Sequence, residues 1–196
     1  MADLERLRVD IKLTAELRGH TFSLRSTWGL FSPREVDRGT RMLIDRLELA
    51  ETDDCLDLGC GYGAIGLALA ALAPRGRTLM IDKDFVAVDY AQRNAQANAL
   101  ANVEVQLSNG FDAIEQGRSF DVVACNLPAK IGNELTTLLV ADAHEHLAPG
   151  GALYLVTLSG MRRFVQRIVQ GQFGNYEKLK QGAQHTVCRA VREGDA

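Results

Sequence analysis

The chain of 196 residues has little with which to build a metal or redox centre. Its four cysteines, Cys55, Cys60, Cys125 and Cys188, include no Cys-x-x-Cys pair. They read as core thiols of a reducing compartment rather than as disulfides or zinc ligands. His144 and His146 are two positions apart, which on a helix turns them to different faces, so no metal is expected. Long apolar runs are missing too. The longest, residues 64–73, is about half of what a bilayer requires. Met1-Ala2-Asp3-Leu4-Glu5-Arg6 has mixed charge and lacks the apolar stretch of a leader. A cytoplasmic protein without membrane contact is the expectation. Repeats and low-complexity linkers are absent as well. What remains is one globular domain with at most a small N-terminal addition, long enough to bury a full core.

Strong net charge is also lacking, the formal sum being −3, but the sum hides an asymmetry. Residues 50–159 carry 6 Lys or Arg against 14 Asp or Glu. Residues 160–192 carry 7 (Arg162, Arg163, Arg167, Lys178, Lys180, Arg189 and Arg192) against Glu177 alone. That basic final third has two readings, a surface that contacts phosphate or an ordinary solvated face.

Residues 9–17 alternate, with Val9, Ile11, Leu13, Ala15 and Leu17 apolar and Asp10, Lys12, Thr14 and Glu16 between them. This is the period of a half-buried strand. Arg18-Gly19-His20 makes a turn, and Phe22 and Leu24 resume the alternation, so residues 9–25 predict a hairpin. Its only basic residues are Lys12, Arg18 and Arg25, and it reads as structure rather than as a substrate platform. After the apolar loop Trp28-Gly29-Leu30-Phe31, the run Ser32-Pro33-Arg34-Glu35 has the pattern of a capping box with proline at the first helical position. It predicts a helix from there to residue 50. From Asp53 onward strands and helices alternate. Strands are predicted at 53–58, 77–82, 103–107, 120–125 and 151–158, and helices at 63–73, 84–99, 131–147 and 160–171. Pro149-Gly150-Gly151 is the break before the strand at 151–158. Such alternation predicts a doubly wound, mostly parallel α/β sheet with helices on both faces. Two closely spaced strands at 175–181 and 184–191 must run antiparallel to each other.

The chain is organised around residues 55–66, Cys-Leu-Asp-Leu-Gly-Cys-Gly-Tyr-Gly-Ala-Ile-Gly, a short strand, a glycine turn and a helix start. Gly61-Tyr62-Gly63-Ala64-Ile65-Gly66 matches the G-x-G-x-x-G of dinucleotide sites. Asp82, at the end of the next strand, stands where a ribose-binding acid belongs. Asp57 changes the expected ligand. A carboxylate just ahead of the glycines repels a pyrophosphate and suits a ligand with a cationic amine. S-adenosylmethionine, with its ammonium, sulfonium and ribose, fits better than NAD.

Asp57-Leu58-Gly59-Cys60-Gly61-Tyr62-Gly63 resembles the first motif of the class I S-adenosylmethionine-dependent methyltransferases. More narrowly, residues 16–191 resemble the small methyltransferase domain of ribosomal RNA guanine-N2 methyltransferases. That likeness is carried by Gly29-Leu30-Phe31-Ser32, by Val36-Asp37-Arg38-Gly39-Thr40-Arg41-Met42-Leu43, and by Asn126-Leu127-Pro128 followed by Gly132. It implies a Rossmann-like methyltransferase fold of seven strands with an antiparallel last strand in residues 31–192. Residues 1–30 are then an extension carrying the hairpin, and 193–196 a tail. It also implies that Asp57, Gly59, Cys60 and Gly61 hold the methionine end of the cofactor while Gly63 shapes the turn. Asp82, with Lys83 beside it, takes the ribose hydroxyls. Asn109 and Gly110 meet the adenine edge, with Phe111 packing on its ring. Phe31, Gly39 and Thr40 belong to the segment that closes over the cofactor.

In amine-methylating members of the class, an Asn/Asp-Pro-Pro segment is followed by an aromatic or apolar residue. Its side-chain oxygen and next backbone carbonyl accept the two hydrogens of a planar exocyclic amine. This places Asn126, Leu127 and Pro128 at catalysis, with Asn126 also beside the donor. Leu127 replaces the first proline, and Ala129 offers no ring, leaving Trp28 or Tyr62 to supply one. The expected activity is therefore methyl transfer from S-adenosylmethionine to an exocyclic amine of an RNA base, foremost guanine N2 of ribosomal RNA, with RNA or a ribosomal particle as partner. Two other readings stay open. The same geometry serves a protein glutamine amide or a small-molecule amine, and the altered segment 126–129 suits a cofactor- and RNA-binding module with weak turnover.

Overall fold

The computed structural model describes residues 9–194; the expectations for residues 1–8 and for the last two residues of the tail lie outside the described residues. In chain order the elements are β1 (Ile11–Leu17), β2 (His20–Ser26), α1 (Arg38–Ile44), β3 (Cys55–Leu58), α2 (Ala64–Leu72), β4 (Thr78–Asp82), α3 (Phe85–Ala97), β5 (Val103–Leu107), β6 (Phe120–Asn126), α4 (Asn133–His146), β7 (Leu147–Leu158), α5 (Arg162–Phe173), β8 (Glu177–Gln181) and β9 (His185–Val191). Seven strands form one sheet in the order β5-β4-β3-β6-β7-β9-β8. β3 to β7 are parallel, β9 runs antiparallel to β7, and β8 pairs antiparallel with β9 at the edge. Successive strands move outward from β3 to β5 and then start again at β6 on the other side. The crevice between β3 and β6, at their carboxyl ends, is where such sheets bind ligands.

Alternation along the central strands separates two cores. Leu56, Leu58, Leu79, Ile81, Val123 and Cys125 face α4 and α5. Cys55, Met80, Val122, Ala124, Tyr154 and Val156 share the other face with α1, α2, α3 and the hairpin residues Ala15, Leu17, Phe22 and Leu24. Asp57 falls on the Cys55 side by the same period of two, and so points towards α2. That helix lies hard against the sheet. A Cβ at Gly66 would land on the Met80 side chain and come within 3.1 Å of Asp57 Oδ2. Met80 is fully buried and has nowhere to go. Gly66→Ala is expected to lower stability by about 1–3 kcal/mol, the usual effect of overpacking. An unchanged urea midpoint would show that α2 slides away from the sheet without penalty.

The hairpin turns on Arg18 (φ 50°) and Gly19 (φ 82°), two left-handed residues of the kind a two-residue loop between twisted strands requires. The free edge of β2 finds partners on a helix. Arg25 N donates to Asn94 Oδ1 (2.8 Å) and Ser23 N to Asn98 Oδ1 (2.9 Å), and both amide groups donate back to the carbonyls of the same two residues. Asn94, itself buried, uses its second N–H on the Tyr62 carbonyl in the glycine turn.

The largest departures from the sequence reading are at β7 and at the first helix. β7 starts at Leu147 rather than at 151, and Pro149-Gly150-Gly151 lies inside it as an irregularity where pairing with β6 shifts from Phe120–Leu147 to Val122–Ala152. The first helix begins at Arg38, not at Ser32, because Asp37 caps it by accepting from Gly39 N (2.8 Å) and Thr40 N (3.2 Å). Ser32 sits at φ 46° and its hydroxyl donates to the Glu35 carbonyl, which closes a turn instead. Leu30 and Val36 are both buried, so the chain between them folds back rather than spiralling outward. The helix also ends early, at Ile44, where Arg18 donates to the carbonyls of Ile44 and Leu47. Among the described residues no helix is long and apolar enough to cross a membrane, the four cysteines are free and buried, and no cluster of metal-ligating side chains occurs.

Candidate active site

A cleft of about 1070 Å³ opens over the carboxyl ends of the parallel strands, lined by the glycine turn, the loops after β4, β5, β6 and β7, and residues 29–31. Small-molecule pockets are usually about 300–1,000 Å³, so this one stands at the upper end of that range.

Its floor is the glycine turn. Gly59, Gly61 and Gly63 all have positive φ (74°, 55° and 94°), and a Cβ on Gly59 or Gly61 would meet no protein atom. The backbone is therefore bare towards the cleft and open to close approach by a ligand. Gly59 N and Cys60 N both donate to the Ile81 carbonyl at 2.9 Å, and Gly61 N donates to Asp82 Oδ2 at 2.9 Å. Asp82 thus braces the turn while lining the cleft beside Lys83. Its other oxygen accepts from Asp84 N, and Asp84 caps α3 through Val86 N. Gly63 stands behind the turn against Met80 and Ala91, outside the lining.

Asp57 is wholly buried behind the same turn and is not a lining residue. Its Oδ2 accepts from Gly66 N at 2.7 Å, while Oδ1 has no hydrogen-bond partner among the described residues. Burial pushes its carboxyl up to about 7, the Asp82 charge adds to this, and the Gly66 N–H opposes it. A buried carboxylate with one oxygen unmatched is poorly stabilised alone, and a cationic group brought to the turn would relieve it.

Past β5, Asn109 and Gly110 line the cleft, and Asn109 Nδ2 donates to Asp112 Oδ2 at 3.2 Å. Phe111 does not join them. Its ring is buried and stacked on His146 at 4.7 Å, so it packs in the core below α4 rather than on a ligand. The apolar wall here comes instead from Leu135, Leu138 and Leu139 of α4.

At the end of β6, Asn126 Nδ2 donates to Thr40 Oγ1 (2.9 Å) and to Asp37 Oδ2 (3.3 Å). A carboxylate only accepts, so the amide nitrogen must face Asp37, and Asn126 presents its oxygen on the opposite side. Thr40 lines the cleft; Gly39 does not, its α-carbon facing the His185 ring, whose Cδ2 a Cβ would approach to 2.7 Å. His185 Nε2 lies 4.0 Å from Asp37 Oδ2. The Leu127 side chain is buried and its N–H donates to the Val156 carbonyl at 2.9 Å, which fixes the backbone that the missing proline would have stiffened. Pro128 and Ala129 are exposed on the lip, as is Phe31 opposite. Tyr62 offers no free ring: it is buried, and its hydroxyl donates to the carbonyls of Ser32 and Glu35. Cys60 and Cys125 also line the cleft, but burial pushes both thiols up and leaves them protonated and weakly nucleophilic.

Sequence reasoning missed Asp37, Asp112, Asp142 and His185 as lining residues. Only Asp37 had a signal, an acidic residue two positions before Gly39-Thr40, the usual place of a helix cap.

A family model for the methyltransferase small domain matches residues 21–189. The uncharacterized protein YbxB of Bacillus subtilis is 36% identical over 141 residues, 71% of this chain and 70% of that protein. The ribosomal RNA large subunit methyltransferase G of Psychromonas ingrahamii is 29% identical over 93% of this chain and 49% of its own length. The small subunit methyltransferase C of Pseudomonas syringae is 29% identical over 90% and 53%. The chain thus spans about half the length of these two rRNA methyltransferases. Among solved structures, the 16S rRNA guanine-N2 methyltransferase RsmC of T. thermophilus, held with AdoMet and guanosine, superposes with a TM-score of 0.85 at 26% identity, covering 94% of this chain and 51% of that one. The bare glycine cradle, the unmatched Asp57 oxygen and Asp82 at the β4 end suit S-adenosylmethionine, and the chain belongs to the methyltransferase small domain family, enzymes that use that donor.

Proposed function

We propose that the cleft moves a methyl group from S-adenosylmethionine to the exocyclic amine of a base in RNA, with guanine N2 of ribosomal RNA as the target. The observation that carries this reading is the orientation of Asn126, whose amide nitrogen is committed to Thr40 and Asp37, leaving its oxygen as an acceptor. The rRNA methyltransferases among its relatives supply the substrate class.

When bound, the donor contributes a methyl group on a sulfonium, an electrophile whose leaving group departs neutral. The protein's task is then alignment. The glycine turn and the Asp57 carboxylate behind it receive the ammonium end, and Asp82 accepts from the ribose hydroxyls. The Asn126 oxygen and the Leu127 carbonyl accept the two hydrogens of a planar amine, which turns its lone pair towards the methyl group. Neither group is a strong base, so both orient, and the methylated nitrogen, cationic after transfer, gives up its surplus proton to water. The protonated thiols of Cys60 and Cys125 make no covalent intermediate. The test is transfer from labelled donor into total RNA against total protein, with nucleoside mass spectrometry of the product. Label in N2-methylguanosine supports the reading; label confined to protein replaces RNA by a protein amide.

Asp57 supplies a pH dependence. Its folded pKa, about 7, lies above the ordinary carboxyl value, so the folded apo state holds a proton that the unfolded chain releases. The contribution of this group to stability is then fully present below about pH 4, is lost as pH rises from about 4 to about 7, and is absent above that. A cationic ligand favours the ionised form, so donor binding is expected to release a proton near pH 6 to 7. Calorimetry in buffers of different ionisation enthalpy reads this directly, and Asp57→Asn should abolish it. Binding heats independent of the buffer would assign Asp57 to capping α2 alone.

A further inference from the structure

We propose that loop 27–34 is a stacking platform for an unpaired nucleotide next to the target base, an assignment that rests on the RNA reading above. The loop presents two aromatic rings that packing does not require. Trp28 is 43% exposed and Phe31 66%, whereas Leu30 between them is buried and anchors the segment. The backbone is shaped to hold the rings outward. Gly29 (φ 101°) and Ser32 (φ 46°) are left-handed, the second a conformation that side-chain-bearing residues adopt rarely. Leu30 N donates to the Thr27 carbonyl at 3.3 Å, and the Tyr62 hydroxyl ties the Ser32 and Glu35 carbonyls to the glycine turn.

Charge identifies the occupant. The Arg34 guanidinium lies 4.6 Å from the centre of the Trp28 ring and makes no ion pair among the described residues. Residues 17–34 contain no Asp or Glu. An exposed cation–aromatic pair with no carboxylate partner among the described residues matches a base with its phosphate, since bases stack on aromatic rings and guanidinium planes alike. Position agrees. Gly29, Leu30 and Phe31 line the cleft that holds Asn126, so Trp28 stands just outside the mouth, where the neighbour of an inserted base falls. Ala129 has no ring of its own, so the base-stacking surface moves to this loop. A duplex, with its base faces already covered, cannot use it.

Trp28 is the sole tryptophan of the chain, so its fluorescence reports on the platform without any substitution. The full chain is titrated with a short single-stranded RNA and with the duplex of the same sequence, while filter retention of radiolabelled RNA measures binding independently. Single-stranded RNA is expected to quench the emission with the same midpoint as retention, and the duplex to leave it unquenched. Trp28→Ala is expected to raise KM for RNA roughly 10- to 100-fold, the usual effect of losing one stacked base, with donor Kd and kcat at saturating RNA unchanged; Trp28→Phe recovers most of it. RNA retained without quenching, equal quenching by the duplex, or an unchanged KM overturns the platform and leaves the RNA reading standing. No retention of RNA overturns both.

Discussion

Asn126→Ala is expected to lower kcat by about 10²- to 10³-fold, the range seen when one preorganised hydrogen-bonding group or about 1 Å of alignment is lost at a reacting centre. The donor's Kd should stay nearly unchanged, because the glycine turn and Asp82 are untouched. The reason for so large an effect lies in how the amide is held. Thr40 Oγ1 and Asp37 Oδ2 both accept from its nitrogen, so a flipped amide would set oxygen against a carboxylate. Asp37→Asn isolates that constraint. Asparagine caps a helix about as well as aspartate, so α1 and the fold should hold. An amide at position 37 tolerates either orientation of Asn126, and kcat should fall to a value between wild type and Asn126→Ala. Thermal melting separates the two effects. Should Asn126→Ala retain full kcat with a normal fold, the acceptor amine is held by other groups and the mechanism above is wrong.

The second large effect is on donor binding. Asp82→Ala is expected to raise the donor's Kd by about 10²- to 10⁴-fold, from two hydrogen bonds to a charged acceptor at about 1.5–3 kcal/mol each. The same change frees Gly61 N, which donates to Asp82 Oδ2, so the glycine turn loosens as well. Asp82→Asn keeps one carbonyl acceptor and should fall in between. The neighbouring carboxylate provides the control. Asp84 is committed to Val86 N at the start of α3, so Asp84→Ala should lower stability by about 1 kcal/mol and leave Kd alone. Titration calorimetry decides between the two, and a donor that binds Asp82→Ala normally would shift the ribose contact elsewhere.

What the sequence made legible was local. The alternation at residues 9–17 carried the hairpin, and the turn residues Arg18 and Gly19 carried its reversal. Asp57, the glycines and Asp82 lie within 26 residues of one another, and their placement follows from strand ends and a tight turn. Where the reading failed, distant residues decided. Ser32 and Asp37 both had the chemistry of a helix cap, and burial of Leu30 and Val36 selected the second. The sequence places Phe111 as a ligand-facing ring, but His146, two elements later, holds it in the core. The bond between Asp37 and Asn126 spans 89 residues, and no periodicity within either segment announces it. His185 reached the cleft only because the last strand, β9, inserts beside β7 instead of adding at the edge.

The side chain of Asn94 ties three parts of the chain at once: α3, the backbone of Arg25 in the hairpin, and the Tyr62 carbonyl in the glycine turn. Opening any one of them would strand buried donors and acceptors belonging to the other two. The hairpin and the donor cradle therefore belong to one cooperative unit in unfolding, in the sense of a foldon. A fragment trimmed to begin after β2 would not be a smaller enzyme, since the glycine turn proposed to receive the donor would have lost part of its own support.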